Sequence, residues 1–280
     1  MKGAIIGDIV GSVYEFANIK TKDFPLFNEE ECFFTDDTVM TVAVAGALES
    51  VLDMTGNDTL VETPDAVVSR WALKMMQSYG RTYPNRGYGR IFSKWLNDRH
   101  PHPYYSSGNG SAMRVSPVAW FAESLADCER LARLTAEVSH NHPDGICGAQ
   151  ATAGAVYLAL HGGSKEEIRA YVDRYYWWDF TLEEIRPSYT FDHFASTCEG
   201  TVPYAVQAFL ESESFEDTIR NVVSIGGDTD TLGAIAGAIA EAYYGVPDEL
   251  WQQARAFLGV GMDAAVDRFY KYVEGVKKCD

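Results

Sequence analysis

Two stretches, residues 144–161 and 230–244, limit the fold most, because each is small and apolar nearly all round. The first carries Gly148, Ala149, Ala151, Ala153, Gly154 and Ala155. Helices of this kind belong in the middle of a bundle, where backbones approach closely. Around them helical periodicity and helix punctuation recur, and strand alternation hardly appears. "TPDAVVSRWALKMMQSYG" predicts a helix with Thr63 as N-cap, Pro64 at the first helical position and Gly80 just past the end. "SKEEIRAYVDRYY" opens on a Ser164/Glu167 capping box and sets Ile168, Tyr171, Val172 and Tyr175 on one face. "SFEDTIRNVV" repeats the device with Ser214 and Asp217, and "ADCERLARLTAEVSH" adds a stripe of Leu131, Leu134 and Val138. Further helices are predicted near 35–51, 87–98, 201–212, 247–258 and 263–277, about a dozen in all, with no convincing sheet. The pattern predicts an all-α, compact multi-helix bundle. With no Ser/Gly linker, charge block or low-complexity tract to mark a boundary, residues 1–280 read as one domain.

Composition narrows the partners. A net charge of −17 excludes nonspecific attraction to nucleic-acid backbones or anionic membranes, which rests on Lys and Arg neutralising phosphates. The five cysteines (32, 128, 147, 198, 279) are odd in number and scattered, so reduced thiols in a cytoplasmic setting are expected. Asp8 interrupts the apolar N-terminal patch before a signal-peptide core is complete, and no run reaches the roughly 18 to 20 uninterrupted apolar residues of a membrane span.

Chemistry concentrates at two helix mouths. "FFTDDTVMTVAVAGAL" leads with Thr35, Asp36, Asp37 and Thr38 into an apolar helix, and "VVSIGGDTDTLGAIAGAIAEAYYG" does the same with Asp228, Thr229, Asp230 and Thr231. Capping and the helix dipole explain one or two such side chains. Each motif supplies four oxygen-bearing side chains in a row. Crowded carboxylates at a buried mouth repel one another unless a cation neutralises them, and carboxylate with hydroxyl is a hard-oxygen set suited to Mg²⁺, Mn²⁺ or Ca²⁺. Two rival motifs fit the residues less well. The D-x-D-T string of phosphatases needs an alternating strand and helix chain, and the D-D-x-x-D of prenyl synthases lacks its third Asp here.

A third motif, "GAIIGDIVGSVYE" at 3–15, completes a resemblance. G-D-x-x-G-S-x-Y-E, then T-D-D-T, then G-G-D-T-D-T before a small-residue helix resembles the ADP-ribosylglycohydrolase family. "RGYGRIFSKWL" at 86–96, "SSGNGSAMRVSPVAW" at 106–120, "VSHNHPDGICGAQATAGAVYLAL" at 138–160 and "TCEGTVPYAVQAFLES" at 197–212 extend it in order along nearly the whole chain. The resemblance implies two Mg²⁺ or Mn²⁺ ions in a cleft. Thr35, Asp36 and Asp37 match ligands of one ion, Asp228 and Thr231 match ligands of the other, and Asp230 matches the carboxylate they share. Glu15 matches an acid that handles water, so Glu15, Asp36 and Asp230 are expected to be catalytic, with Asp8 as loop support. Ser107, Gly108, Asn109 and Gly110 match the cradle of the ADP-ribose diphosphate, and His140 matches a histidine near the phosphates. Arg114 is open between a phosphate partner and an internal bridge to an acidic loop, and His140 between the phosphates and a C-capping role.

The implied activity is hydrolysis of the bond between the distal ribose of ADP-ribose and a protein side chain, serine or arginine, or a related conjugate. A non-catalytic, crystallin-like relative is the alternative; such members tend to lose acidic ligands, and here every ligand-type position is filled. A monomer is expected. The aromatic segment 174–200 suits either a cleft wall or bundle packing, and Glu199 stands where the family has Gln.

Overall fold

A computed structural model describes residues 1–276; residues 277–280, with Cys279 and the last residue of the helix predicted near 263–277, lie outside the described residues. Among the described residues there are fifteen helices and no strand. They are α1 (Lys2–Gly11), α2 (Asp36–Thr55), α3 (Asp65–Thr82), α4 (Arg90–Asn97), α5 (Gly110–Met113), α6 (Val118–Phe121), α7 (Leu125–Ala136) and α8 (Pro143–Leu160). Then follow α9 (Lys165–Val172), α10 (Leu182–Ile185), α11 (Cys198–Leu210), α12 (Phe215–Ile225), α13 (Thr229–Tyr244), α14 (Asp248–Arg255) and α15 (Val260–Val276). The buried apolar side chains join in one core. The all-α expectation holds.

The small-residue helices do occupy the middle. α8 packs on α5, α7, α9, α11 and α13. Gly148 lies under the Cys198 thiol and Gly154 under the Tyr171 hydroxyl, where added Cβ atoms would stand 2.4 and 2.1 Å away. α13 in turn packs on α11, α12 and, above all, α1.

The N-terminal segment, which periodicity alone does not mark as a helix, is one, and nearly all of α1 is buried. Gly3, Gly7 and Gly11 recur every fourth residue, so they share one helix face. A Cβ on Gly3 would sit 2.1 Å from the Gly237 carbonyl oxygen, one on Gly7 1.9 Å from that of Gly233, and one on Gly11 2.2 Å from that of Thr229. Gly233 and Gly237 meet α1 just as closely from the other side. Each helical glycine costs about 0.5–1 kcal/mol in backbone entropy relative to alanine, and the return is direct backbone contact along the seam. Polar bonds lock its register. Thr229 Oγ1 donates to the Gly11 carbonyl at 2.7 Å. At the far end Glu241 accepts from the Gly3 N–H at 2.7 Å and from the Tyr270 hydroxyl. The seam therefore sets Asp8 of α1 beside Asp230 of α13.

The Ser164/Glu167 capping box forms as expected. Ser214 caps α12, but Asp217 bonds the Glu213 N–H, one residue before the cap, so that box is incomplete. The caps assigned to α3 are wrong at both ends. Pro64 is its N-cap, and Gly80 lies inside the helix, where a Cβ would stand 2.7 Å from Leu96. Gly80 is a packing glycine; tight contact and not a left-handed cap explains it. α2, at 20 residues, is long and apolar enough to cross a bilayer, although the count of uninterrupted apolar residues did not single it out; most of it is buried in the bundle.

Gly233→Ala should lower unfolding stability by about 2 kcal/mol or more in chemical denaturation, because only backbone is there to yield. Gly46→Ala in α2 meets only the flexible end of Met75 and should change stability by less than about 1 kcal/mol.

Candidate active site

Two adjacent glycines let α13 begin abruptly. Gly226 and Gly227 have φ of 79° and 80°, in the left-handed region, and a Cβ on Gly227 would lie 2.2 Å from the Tyr189 ring. Asp228 follows at the N-cap but makes no side-chain capping bond. Its Oδ2 instead accepts from Asn109 Nδ2 at 2.7 Å. Asp230 lies in the first turn, taking the Thr231 N–H at 2.9 Å on Oδ1. Thr231 Oγ1 is buried beside the Met113 sulfur.

At the other mouth the N-cap side chain is Thr35, which accepts from the Asp37 N–H at 3.2 Å. The same hydroxyl donates to Asp8 Oδ1 at 2.7 Å. Asp8, wholly buried, also takes the Thr35 N–H at 2.9 Å and the Thr38 N–H at 3.1 Å. Asp8 thus holds the start of α2, as the loop-support expectation had it. Capping leaves Asp37 unexplained: its Oδ1 is buried with no hydrogen-bond partner.

The seam brings both mouths together. Asp8, Asp37 and Asp230 each place an oxygen within 4.8 Å of the others, and so do Glu15, Asp228 and Asp230. Asp230 belongs to both groups. Asp36 falls outside them; its backbone N–H donates to the Arg86 carbonyl at 2.7 Å. Electrostatics follow from crowding in a dry place. Burial pushes the Asp8 and Asp228 carboxyls up to about 6, against hydrogen bonds that lower both. Burial, then the charges of Asp230 and Asp8, push Glu15 up to about 8. Asp36, Asp37 and Asp230 are driven well above the usual carboxylate range, by burial first and neighbouring carboxylates second. Such acids are charged together only if something positive sits among them. The orphaned Asp37 oxygen and the all-oxygen donor set fit a hard divalent cation.

The loop that carries Glu15 is stapled over this cluster. Asn18 donates to the Gly227 carbonyl at 3.2 Å and accepts the Gly227 N–H at 2.9 Å, while Lys20 Nζ donates to the carbonyls of Tyr189 and Ile225 at 2.6 and 2.5 Å. These bonds span about two hundred residues of chain. Phe16, next to Glu15, is exposed and meets Phe191 edge to face at 5.2 Å.

The loop at 107–110, the expected cradle, spends several of its polar groups within the protein. The Gly108 N–H turns to Ser106 Oγ at 3.1 Å, the Asn109 N–H donates to the Ser196 carbonyl at 3.0 Å, and the Ser107 carbonyl takes the Cys198 N–H at 3.0 Å. The Asn109 amide is spent on Asp228 and on Thr201 Oγ1 at 3.0 Å. Asn109 therefore holds an acid of the cluster. His140 is buried, with Nδ1 2.8 Å from Ser139 Oγ and its Nε2 side against the loop, 3.0 Å from where a Gly110 Cβ would be. Its side chain does not cap a helix. Burial, then the Arg114 charge, holds the imidazole well below its usual range. Arg114 bridges internally, though to Ser139 and the Thr135 carbonyl and not to an acidic loop.

Segment 174–200 packs into the bundle. Tyr189 walls the Gly227 turn and stacks on Tyr204 at 4.2 Å, while Trp178 and Tyr176 are buried in the bundle. Glu199 is exposed and lines a pocket of about 350 Å³ with Trp177, Phe194 and Tyr204, none of them in the acid cluster. A larger cavity of about 1240 Å³, bordered by Asp53, Trp120, Arg268 and Tyr272, shares no residue with the acid cluster.

Comparison with known proteins gives a consistent picture. The family model described as ADP-ribosylglycohydrolase matches residues 1–278. The chain is 28% identical to the ADP-ribosylhydrolase ARH3 of Mus musculus over 91% of its own length and 85% of that protein's. It is 29% identical to the ADP-ribosyl-[dinitrogen reductase] glycohydrolase of Rhodospirillum rubrum, over 76% of this chain and 70% of that one. A solved ADP-ribosylglycohydrolase-related protein complex shares the fold, with a TM-score of 0.64, 23% identity and coverage of 97% and 95%.

The raised carboxyls predict how stability depends on pH. Asp8, Asp228 and Glu15 bind protons more tightly folded than unfolded, where carboxyls titrate near about 4. Their contribution is complete below about pH 4 and is lost as pH rises through about 6 to 8. Cations compete with those protons, so Mg²⁺ should raise the melting temperature of EDTA-treated protein more at pH 8 than at pH 5. Equal shifts at the two pH values would contradict this.

Proposed function

The chain belongs to the ADP-ribosylglycohydrolase family, and on that premise we propose that it hydrolyses the bond between C1″ of the distal ribose of ADP-ribose and an acceptor side chain, serine or arginine, or a related ADP-ribose conjugate. The observation that carries the reading is the pair of carboxylate groups sharing Asp230 beneath the Glu15 loop. We assign Asp37, Asp228 and Asp230, with Thr35, Asp36 and Thr231 around them, to the binding of two divalent ions, Mg²⁺ or Mn²⁺. When bound, the ions would fix the vicinal hydroxyls of the distal ribose and supply positive charge that favours ionised water.

The remaining roles fall to the chain itself. Glu15, whose carboxyl is pushed up to about 8 in the metal-free protein and which is half-buried, takes the proton of the attacking water. Its ionised form and the neighbouring Asp residues favour the positive charge that builds on the sugar as the bond to the acceptor breaks. Asn109 holds Asp228 in place, and Asp8 fixes the α2 mouth through Thr35 and Thr38. The Ser107–Gly110 loop with His140 forms the side on which the diphosphate would lie.

Release of free ADP-ribose from serine-linked and arginine-linked ADP-ribosyl peptides, in Mg²⁺ and in EDTA, tests this directly. Release that EDTA abolishes is expected; no release from either peptide would count against it. Asp36→Asn with Asp37→Asn should reduce turnover to background while leaving the helical circular-dichroism spectrum in place. Asn109→Ala should lower kcat by about 10- to 100-fold, the usual cost of losing a residue that orients a ligand-bearing side chain, with a smaller change in KM. A defect in KM alone would return Asn109 to ligand binding.

A further inference from the structure

Arg114 is among the largest fully buried side chains, only 1% exposed. No ion pair to it is found among the described residues. Its Nη2 donates to Ser139 Oγ at 3.0 Å and more weakly to the Thr135 carbonyl at 3.4 Å, and its Nε and Nη1 have no hydrogen-bond partner. A buried cation so poorly paired is costly, and its one good contact leads towards the ADP-ribose loop.

Ser139 is wholly buried, and its Oγ has two polar neighbours within hydrogen-bonding distance, Arg114 Nη2 and His140 Nδ1. Arginine can only donate, so it takes a lone pair of the hydroxyl. The hydroxyl proton is then left one acceptor, Nδ1 of His140. Were Nδ1 protonated, a buried O–H would have no acceptor at all, which is costly. A hydroxyl that accepts from a cation is also the better donor, which strengthens the second bond.

We propose that Arg114 is a positioning residue that works through Ser139 to hold His140 as a neutral ring with its proton on Nε2, aimed at the Gly108–Gly110 loop as a donor to an oxygen of the bound ligand. The ring is fixed on its flanks by Tyr104 at 5.6 Å and Phe92 at 6.0 Å, both edge to face. Gly110 belongs to the arrangement, since a Cβ there would stand 3.0 Å from Nε2 and cover it. Burial and the adjacent Arg114 charge keep the imidazole from taking a second proton. The ligand's identity as ADP-ribose rests on the hydrolase reading; the tautomer does not.

The test is nitrogen NMR of histidine-labelled, metal-free protein at pH 7, with the His140 signals assigned by their loss in His140→Gln among the six histidines. The wild type should show Nδ1 bare and Nε2 protonated. Ser139→Ala removes the donor to Nδ1 and should mix the tautomers, weakening ADP-ribose binding by about tenfold, the worth of one hydrogen bond to a charged group. Arg114→Met should mix them as well. A wild type protonated on Nδ1, or a Ser139→Ala protein with tautomer and affinity unchanged, would overturn the proposal. A wild type with its proton on Nε2 that binds no ADP-ribose would uphold the relay and count against the function reading.

Discussion

The backbone contact between α1 and α13 is the constraint from which the site follows. Three glycines on one helix face two on the other, and at Gly7 and Gly233 not even a methyl group fits between them. Helices that close must stay in one register, and the register is pinned by Thr229 on the Gly11 carbonyl and by Glu241 on the Gly3 N–H. Asp8 and Asp230 are thereby brought together although more than two hundred residues separate them in sequence. Asp8 then anchors the start of α2, which delivers Asp37. One packing seam thus assembles acids from three parts of the chain.

This assembly opposes the stability of the metal-free fold. Carboxylates gathered in a buried mouth pay desolvation and mutual repulsion, and every acid of the cluster has its proton affinity raised. Helix capping does not account for most of them, because Thr35 and Asp8 take the N–H groups at the α2 mouth and Asp228 caps nothing. The account that removes the conflict is a cation among the oxygens, with Asp230 facing both groups. The same account explains why Asn109 is turned onto Asp228: a carboxylate that must present particular oxygens needs a neighbour to hold its plane.

Much of this was legible in the sequence for a simple reason. Asp36, Asp37, Asp228 and Asp230 interrupt apolar patterns, and an acid in such a place demands an explanation. The all-α class was equally open, since capping residues and periodic stripes are local signals. What escaped was whatever depends on distance. α1 reads as a short apolar patch interrupted by Asp8 until α13 is laid against it, and Gly80 reads as a helix stop until Leu96 is seen to fill the space beside it. Asn109 reads as part of an anion cradle, and its bond to Asp228, 119 residues away, is out of sight in the sequence. Asp8 reads only as loop support, because its nearness to Asp37 and Asp230 is a product of the seam.

The central claim is that the two carboxylate groups form one binuclear cation site hinged on Asp230. Equilibrium dialysis with Mn²⁺ at pH 8, on the wild type and on Asp230→Asn, tests it most directly. The account predicts two ions per chain for the wild type and weakening of both on loss of the shared carboxylate. A single ion, or two of which one is indifferent to Asp230→Asn, would contradict it.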